Sequence, residues 1–285
     1  MISAVASKEL RALLRDGRLW GLGAVVAVLL LTVLATALHQ RQVDERERLQ
    51  VEVASRDQWD HQGARNPHRA AHFGLYAFKP QMPLASVDPG IQAHTGQALW
   101  LEPHKRNMAL HIRAADAPPS IRLGPFTPAL VLLVLVPLLI AVLGHGSVTQ
   151  EREQGTLRML HASGMRGVPL VLGKWLGLCA GLALVLAPAL LVGGWLLAAQ
   201  QGVRQALLLA LALVLYYATW AALAVAVSAR CHTSRSALLV LLALWVGCVF
   251  VLPRMAASVV EQGMHLPTGE QFWAAIQRDI DNGLP

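Results

Sequence analysis

The sequence predicts an all-α polytopic membrane protein, and three observations predict it. Only 14% of its 285 residues are charged, where a soluble domain carries roughly 25%. Five apolar runs free of Asp, Glu, Lys and Arg lie near the length of about 20 residues that crosses a bilayer as a helix. Between them, basic residues collect beside alternate ends, the asymmetry that orients membrane proteins. Together these exclude a soluble enzyme, a disordered chain and a coiled coil. The net charge of +7 reads as an orientation signal and not as a nucleic-acid surface, because no basic stripe with interleaved aromatics is present.

Residues 1–18 are predicted as an interfacial elbow helix. Ile2, Val5, Ala6, Leu10, Leu13, Leu14 and Gly17 recur at helical spacing, with Lys8, Arg11, Arg15 and Arg18 largely off that stripe, the pattern of a helix lying in the membrane surface. A cleaved leader is the competing reading, but the following apolar run is too long for one and lacks a convincing small-x-small cleavage site. The first span covers residues 19–38. Residues 39–122 make a small mixed extracytoplasmic domain. There Gln40–Gln62 continues the first span as a polar helix. Asn66-Pro67, Lys79-Pro80, Asp88-Pro89-Gly90 and Ala117-Pro118-Pro119 then break the chain into short elements. The second span, 126–147, opens on Thr127-Pro128, an N-cap followed by proline at the first helical position. Residues 148–173 form a loop, and 174–198, 205–229 and 236–253 are spans three to five. Pro137 and Pro188 are expected to kink the second and third. In residues 254–285, Thr268-Gly269-Glu270-Gln271 is a capping box opening a short helix through about Ile280.

The count of Lys and Arg beside the spans puts the N-terminus in the cytoplasm. Lys8, Arg11, Arg15 and Arg18 flank the first span. Arg152, Arg158, Arg166 and Lys174 surround the 148–173 loop, and Arg230 and Arg235 separate spans four and five, against Arg204 alone between spans three and four. Cys179, Cys231 and Cys248 lie in or beside spans, so residues 39–122 hold no disulfide and no Cys-based zinc site.

The most specific segment runs from Ser147 to Leu160, with Glu151-Arg152-Glu153-Gln154-Gly155-Thr156-Leu157 at its centre. A helix leaving the membrane is interrupted at Gly155, and Thr156 is placed to cap a new short helix with Leu157 and Leu160 on one face. Such a helix on a rigid stalk suits docking into a partner's groove. The string Glu151-x-Glu153-x-Gly155-Thr156-Leu157-x-x-Leu160, with Arg166 six residues on and Gly173-Lys174 opening the next span, resembles the coupling region of type-2 ABC exporter permeases. Lys8-Glu9-Leu10-Arg11, with Arg15 and Trp20, is similar to that family's elbow helix. The phrases from Asn66 to Gly74, Asp88 to Gly90 and Leu101 to Asn107 resemble a bacterial subfamily with a large extracytoplasmic domain between the first two spans.

The resemblance implies the permease subunit of an ATP-binding-cassette exporter in the bacterial inner membrane. Its partners would be cytoplasmic ABC ATPase subunits and a second permease subunit, as a homo- or heterodimer within the lipid bilayer. ATP and Mg²⁺ would sit on the ATPase; this chain would bind no cofactor and would not be an enzyme. Glu151, Glu153, Gly155, Thr156, Leu157 and Leu160 would contact or shape the ATPase interface, while Arg166 and Lys174 would anchor the loop's return. The family has six spans with both termini cytoplasmic. Five are readable here, and the chain is expected to stop one span short. Gly167 to Lys174 is a near-miss for an ATP site: five residues separate its glycines where a P-loop has four, and Trp175 replaces the Mg²⁺-binding Ser or Thr.

The outer segment holds His61, His68, His72, His94, His104 and His111. His68 and His72, four apart, would share a helix face, and Glu102 or His104 would complete a metal set. Surface imidazoles are the default reading, and no metal site is assigned. No Asp, Glu, Lys or Arg lies mid-span, which argues against an ion-coupled secondary transporter. Tyr216, Tyr217, Thr219, Trp220 and Ser228 are read as helix-packing groups. Two other classes compete with a transport subunit. One is a membrane-anchored scaffold that captures an extracytoplasmic partner; the other is a His-based membrane metalloprotein. Co-purification of an ATPase separates the first, and metal analysis the second.

Overall fold

The computed structural model describes residues 1–104, 107, 109–110, 126–264 and 267–283. His111, Lys105, Arg106 and the Ala117-Pro118-Pro119 break lie outside the described residues. Helix α1 (Ile2–Arg15) ends where Asp16 turns to extended geometry, and the Asp16 carboxylate accepts the Arg18 amide N–H at 3.1 Å to cap α2 (Gly17–Asp60). Helix α2 runs 44 residues unbroken, about 66 Å at 1.5 Å per residue. That is about twice the roughly 30 Å of hydrocarbon in a bilayer, so its second half stands clear as a polar stalk. Arg48 laces that stalk, reaching Glu45 and Glu52 at 2.7 Å each.

Beyond the stalk come α3 (Pro67–Ala71), β1 (Leu75–Phe78), a 3₁₀ turn (Gly90–His94) and β2 (Ala98–Leu101). The strands pair antiparallel with Leu75 opposite Leu101 and Phe78 opposite Ala98. Gly74, at φ +74°, turns the chain from α3 into β1, and a Cβ there would overlap the Trp100 indole.

The second crossing starts at the cap read from the sequence. Thr127 Oγ1 accepts the Leu130 N–H at 3.3 Å, and Pro128 opens α4 (Pro128–Leu130). A π turn (Val131–Leu135) leads into α5 (Val136–Gly144) and, after a turn, α6 (Thr149–Glu153). Pro137 has no N–H to give the carbonyl four residues back, and a π turn is one way a helix absorbs that. Side chains of later helices take the carbonyls so loosened. Tyr217 Oη donates to the Leu132 oxygen at 3.2 Å, Tyr216 Oη to Leu133 at 2.9 Å and Trp245 Nε1 to Val134 at 2.9 Å. In hydrocarbon, where water cannot substitute, such side chains complete the backbone's hydrogen bonding. The two tyrosines therefore do more than the packing read from the sequence.

The remaining elements are α7 (Thr156–Ala162), α8 (Gly167–Gln201), α9 (Val203–Arg230), α10 (Ser234–Val246), a second π turn (Gly247–Val251) ahead of Pro253, α11 (Leu252–Gly263) and α12 (Gly269–Asp281). The capping box opening α12 is formed in both directions: Thr268 Oγ1 accepts from Gln271 N at 3.2 Å and Gln271 Oε1 from Thr268 N at 3.0 Å. Among the described residues, five helical stretches are long and apolar enough to cross a membrane: Gly17–Asp60, Pro128–Glu153, Gly167–Gln201, Val203–Arg230 and Ser234–Gly263. The protein is an all-α polytopic membrane protein with a small mixed segment between its first two crossings.

Helix α8 is the hub of the packing. Its Gly173, Gly177 and Gly181 lie one helical turn apart and receive Val5, Glu9 and Leu13 of α1. The face of α1 turned inward is thus Val5-Glu9-Leu13, while Ile2 of the predicted apolar stripe stays exposed and Leu10 and Leu14 are half-buried. Farther along, Leu30 and Leu34 of α2, Leu186 and Leu197 of α8, and Leu213 and Tyr217 of α9 line an almost wholly apolar cavity of about 410 Å³.

Candidate functional site

Three consecutive residues of α6 point to three different places. Successive side chains on an α-helix diverge by about 100°, so Glu151, Arg152 and Glu153 reach separate elements from one turn. Glu151 turns inward and accepts from Lys174 Nζ of α8 at 3.1 Å and from Lys8 of α1. Lys174 also donates to Glu9 Oε2 at 2.8 Å. Lys174 is 2% exposed, Glu151 6% and Glu9 8%, so the centre of this network is dry. Burying ions is costly unless each finds a partner. Here two carboxylates face two ammonium groups, with Lys8 reaching in from the exposed side.

Arg152 points the other way and donates to the Ala229 oxygen at 2.9 Å and to the Cys231 oxygen. These carbonyls, at the end of α9, have no partner within the helix. Glu153 accepts from Ser234 N at 2.8 Å and from Ser234 Oγ at 2.7 Å, which holds the start of α10. Buried Ser228 completes the junction: its Oγ accepts from Val148 N at 2.9 Å and from Thr149 N at 3.2 Å, at the start of α6. One turn of helix thereby ties α1, α8, α9 and α10 together.

Gly155 ends this anchored part. Its φ of +75° is left-handed, a conformation that costs an L-residue about 1–2 kcal/mol. Nothing lies within 4 Å of where its Cβ would be, so backbone strain is the whole cost. Gly155→Ala is therefore expected to destabilise by about 1–2 kcal/mol, and Gly155→Asn by less, because Asn visits this region readily. Thermal melts of the two variants in detergent test that order.

The cap expected of Thr156 is corrected. Gly155 occupies the N-cap of α7 without a side-chain cap, and Thr156 is the first helical residue. Its hydroxyl turns back to the Glu151 carbonyl at 3.1 Å and to the Glu151 carboxylate. A carboxylate one turn away is the stronger acceptor, and it draws the hydroxyl into the anchored network. Leu157 and Leu160 are half-buried, Arg158 is exposed, and Met159 stands 72% exposed. No residue of α7 is buried. Arg166 is the exposed N-cap residue of α8 and makes no side-chain cap.

Residues 3–281 match the family described as ABC-2 family transporter protein. The chain belongs to that family. No curated protein matches it. As an ABC-2 family member it is a membrane permease subunit of an ABC transporter, a transport subunit of a class that works with separate ABC ATPase subunits. Of the residues named from sequence in this ABC-2 protein, the structure brings Glu151, Thr156 and Lys174 into one cluster. It directs Glu153 to α10, while Leu157 and Leu160 are half-buried on α7 and Arg166 is exposed at the start of α8. Sequence reading missed Glu9, Lys8, Arg152, Ser228 and Ser234 as members. The available signal was the Gly173-x-x-x-Gly177-x-x-x-Gly181 spacing, a small-residue stripe that lets another helix approach closely.

Proposed function

We propose that this permease subunit serves an ATP-binding-cassette exporter and that α7 is the helix through which a separate ATPase drives it. In this reading α1 and α7 face the cytoplasm, residues 39–122 face outward from a bacterial inner membrane, and a second permease subunit, identical or related, completes the pathway. ATP and Mg²⁺ belong to the ATPase. Glu151, Glu153, Gly155, Thr156, Leu157, Leu160, Arg166 and Lys174 transmit or shape the contact.

The observation that carries the reading is the mechanical division at Gly155. Before it, three adjacent charged side chains hold α6 to four other helices. After it, α7 presents Arg158 and Met159 to solvent with nothing of its own buried. A load applied to α7 reaches those helices through the Glu151–Lys174 cluster and the Arg152 and Glu153 contacts. Helix-in-groove docking needs such an exposed helix with an apolar anchor. The test replaces Gly155–Leu160 by a flexible Gly/Ser segment of equal length. Loss of ATPase co-purification and of its stimulation is expected; an ATPase still bound and fully stimulated rejects α7 as the coupling helix.

A further inference from the structure

We propose that His68, His72 and His104 form a binding site for a late first-row divalent cation of the Zn²⁺ type. The three residues each offer a ring nitrogen, and these atoms all lie within 4.8 Å of one another. Their ring centroids stand 4.7, 5.6 and 6.0 Å apart. Imidazoles 32 to 36 residues apart in sequence do not meet by local spacing, so the fold must bring His104 to the pair.

The hairpin does so. Leu75 is opposite Leu101 in the antiparallel ladder, and carrying that register three residues beyond each strand end sets His72 against His104. Asn66 Oδ1 accepts the His68 N–H at 2.9 Å and starts α3. The short helix then presents His68 and His72 one turn apart, with their rings edge to face. Gly74 permits the close passage of this turn over Trp100 that no other residue would allow. His104 itself sits at φ +62°, a region a non-glycine residue seldom occupies. That backbone turn aims its ring back at the other two.

The chemistry selects the cation. Imidazole nitrogens suit zinc, copper and nickel, whereas calcium and magnesium require oxygen ligands. The ligand atoms of a tetrahedral zinc site, each about 2.0–2.1 Å from the metal, stand about 3.3 Å apart. The rings are exposed, so side-chain rotations closing the remaining ~1.5 Å meet little resistance. Three ligands leave a fourth position for water or an incoming ligand, the open arrangement and not the closed structural one.

The experiment uses the full chain, purified in detergent without a polyhistidine tag, stripped with EDTA and titrated with Zn²⁺ alone against a chromophoric chelator. One equivalent is expected to bind. His104→Asn keeps a residue that tolerates the left-handed backbone while removing the ligand, and His72→Gln removes the second. Each is expected to weaken binding by more than about 100-fold, beyond the roughly 10- to 100-fold typical of losing a supporting group around a metal. His94→Asn, on the neighbouring 3₁₀ turn, should bind as the wild type does. No saturable binding by the wild type, or His104→Asn binding as tightly as wild type, overturns the site. Neither result bears on α7, so the two proposals fail separately.

Discussion

Lys174→Met is expected to destabilise the protein by about 3–5 kcal/mol, the cost of removing one partner from a buried ion pair. The ammonium group of Lys174 pairs with Glu9 and is one of two ammonium groups on Glu151, whose carboxylate also accepts from the Thr156 hydroxyl, and Glu9, Glu151 and Lys174 are all buried. Its loss leaves two carboxylates in a dry pocket with one mostly exposed ammonium, Lys8, to balance them. Lys8→Ala removes a partner of the same formal charge, yet water can replace an exposed ammonium. Its cost is therefore expected to stay under about 1 kcal/mol. The contrast between the two lysines is the test of the burial argument. Lys174→Met combined with Glu9→Gln should recover a large part of the loss, since Lys8 then faces Glu151 alone. Thermal melts in detergent give the order. Lys174→Met melting with Lys8→Ala would mean that the cluster is solvated and carries little.

The spans were legible because a bilayer imposes length and apolarity on any helix that crosses it. The Thr127 and Thr268 caps were legible because their partners lie three residues away. The buried cluster was not. Glu9 meets Lys174 across 165 positions of sequence and Lys8 meets Glu151 across 143, and no local rule links them. Read alone, Lys174 is a basic residue at the mouth of a span and Glu9 one acid among the bases of an amphipathic helix. Thr156 shows the same limit at short range. Its cap reading rested on residue type, but the left-handed Gly155 takes the N-cap position, and the Thr156 hydroxyl donates to a carboxylate five positions back. Apolar periodicity gave α1 a stripe for the membrane surface but not the face it turns to α8, where Val5 and Leu13 of that stripe flank Glu9. The partner surface on α8 is a row of glycines that admits whichever residues stand closest to the backbone, Glu9 included.

That row supports the second large effect, Gly177→Leu. A Cβ at position 177 would lie 2.5 Å from Glu9 Cβ and 2.9 Å from the Ala6 carbonyl oxygen. The second obstacle is backbone and cannot be moved by a change of rotamer, so α1 must shift bodily. Overpacking alone typically costs about 1–3 kcal/mol. Displacing α1 also separates Glu9 from Lys174, which brings in the ion-pair cost of about 3–5 kcal/mol. The two terms share Glu9 and will not simply add, but either one acts directly on the contact that seats this 14-residue helix. The expected result is release of α1 while the spans stay folded, read as rapid trypsin cleavage at Lys8, Arg11 and Arg15 in reconstituted vesicles that leave this face accessible. Gly181→Ala should be far milder, because its nearest neighbour is the far end of the Leu13 side chain at 3.1 Å. Gly194→Ala, with nothing within 4 Å, should match the wild type. Because Glu9, Lys174 and Glu151 form one network, release of α1 should also loosen α6, so Gly177→Leu is expected to lower ATPase stimulation without touching α7. A Gly177→Leu protein whose α1 stays protected would show that the helix does not depend on this glycine row for its position.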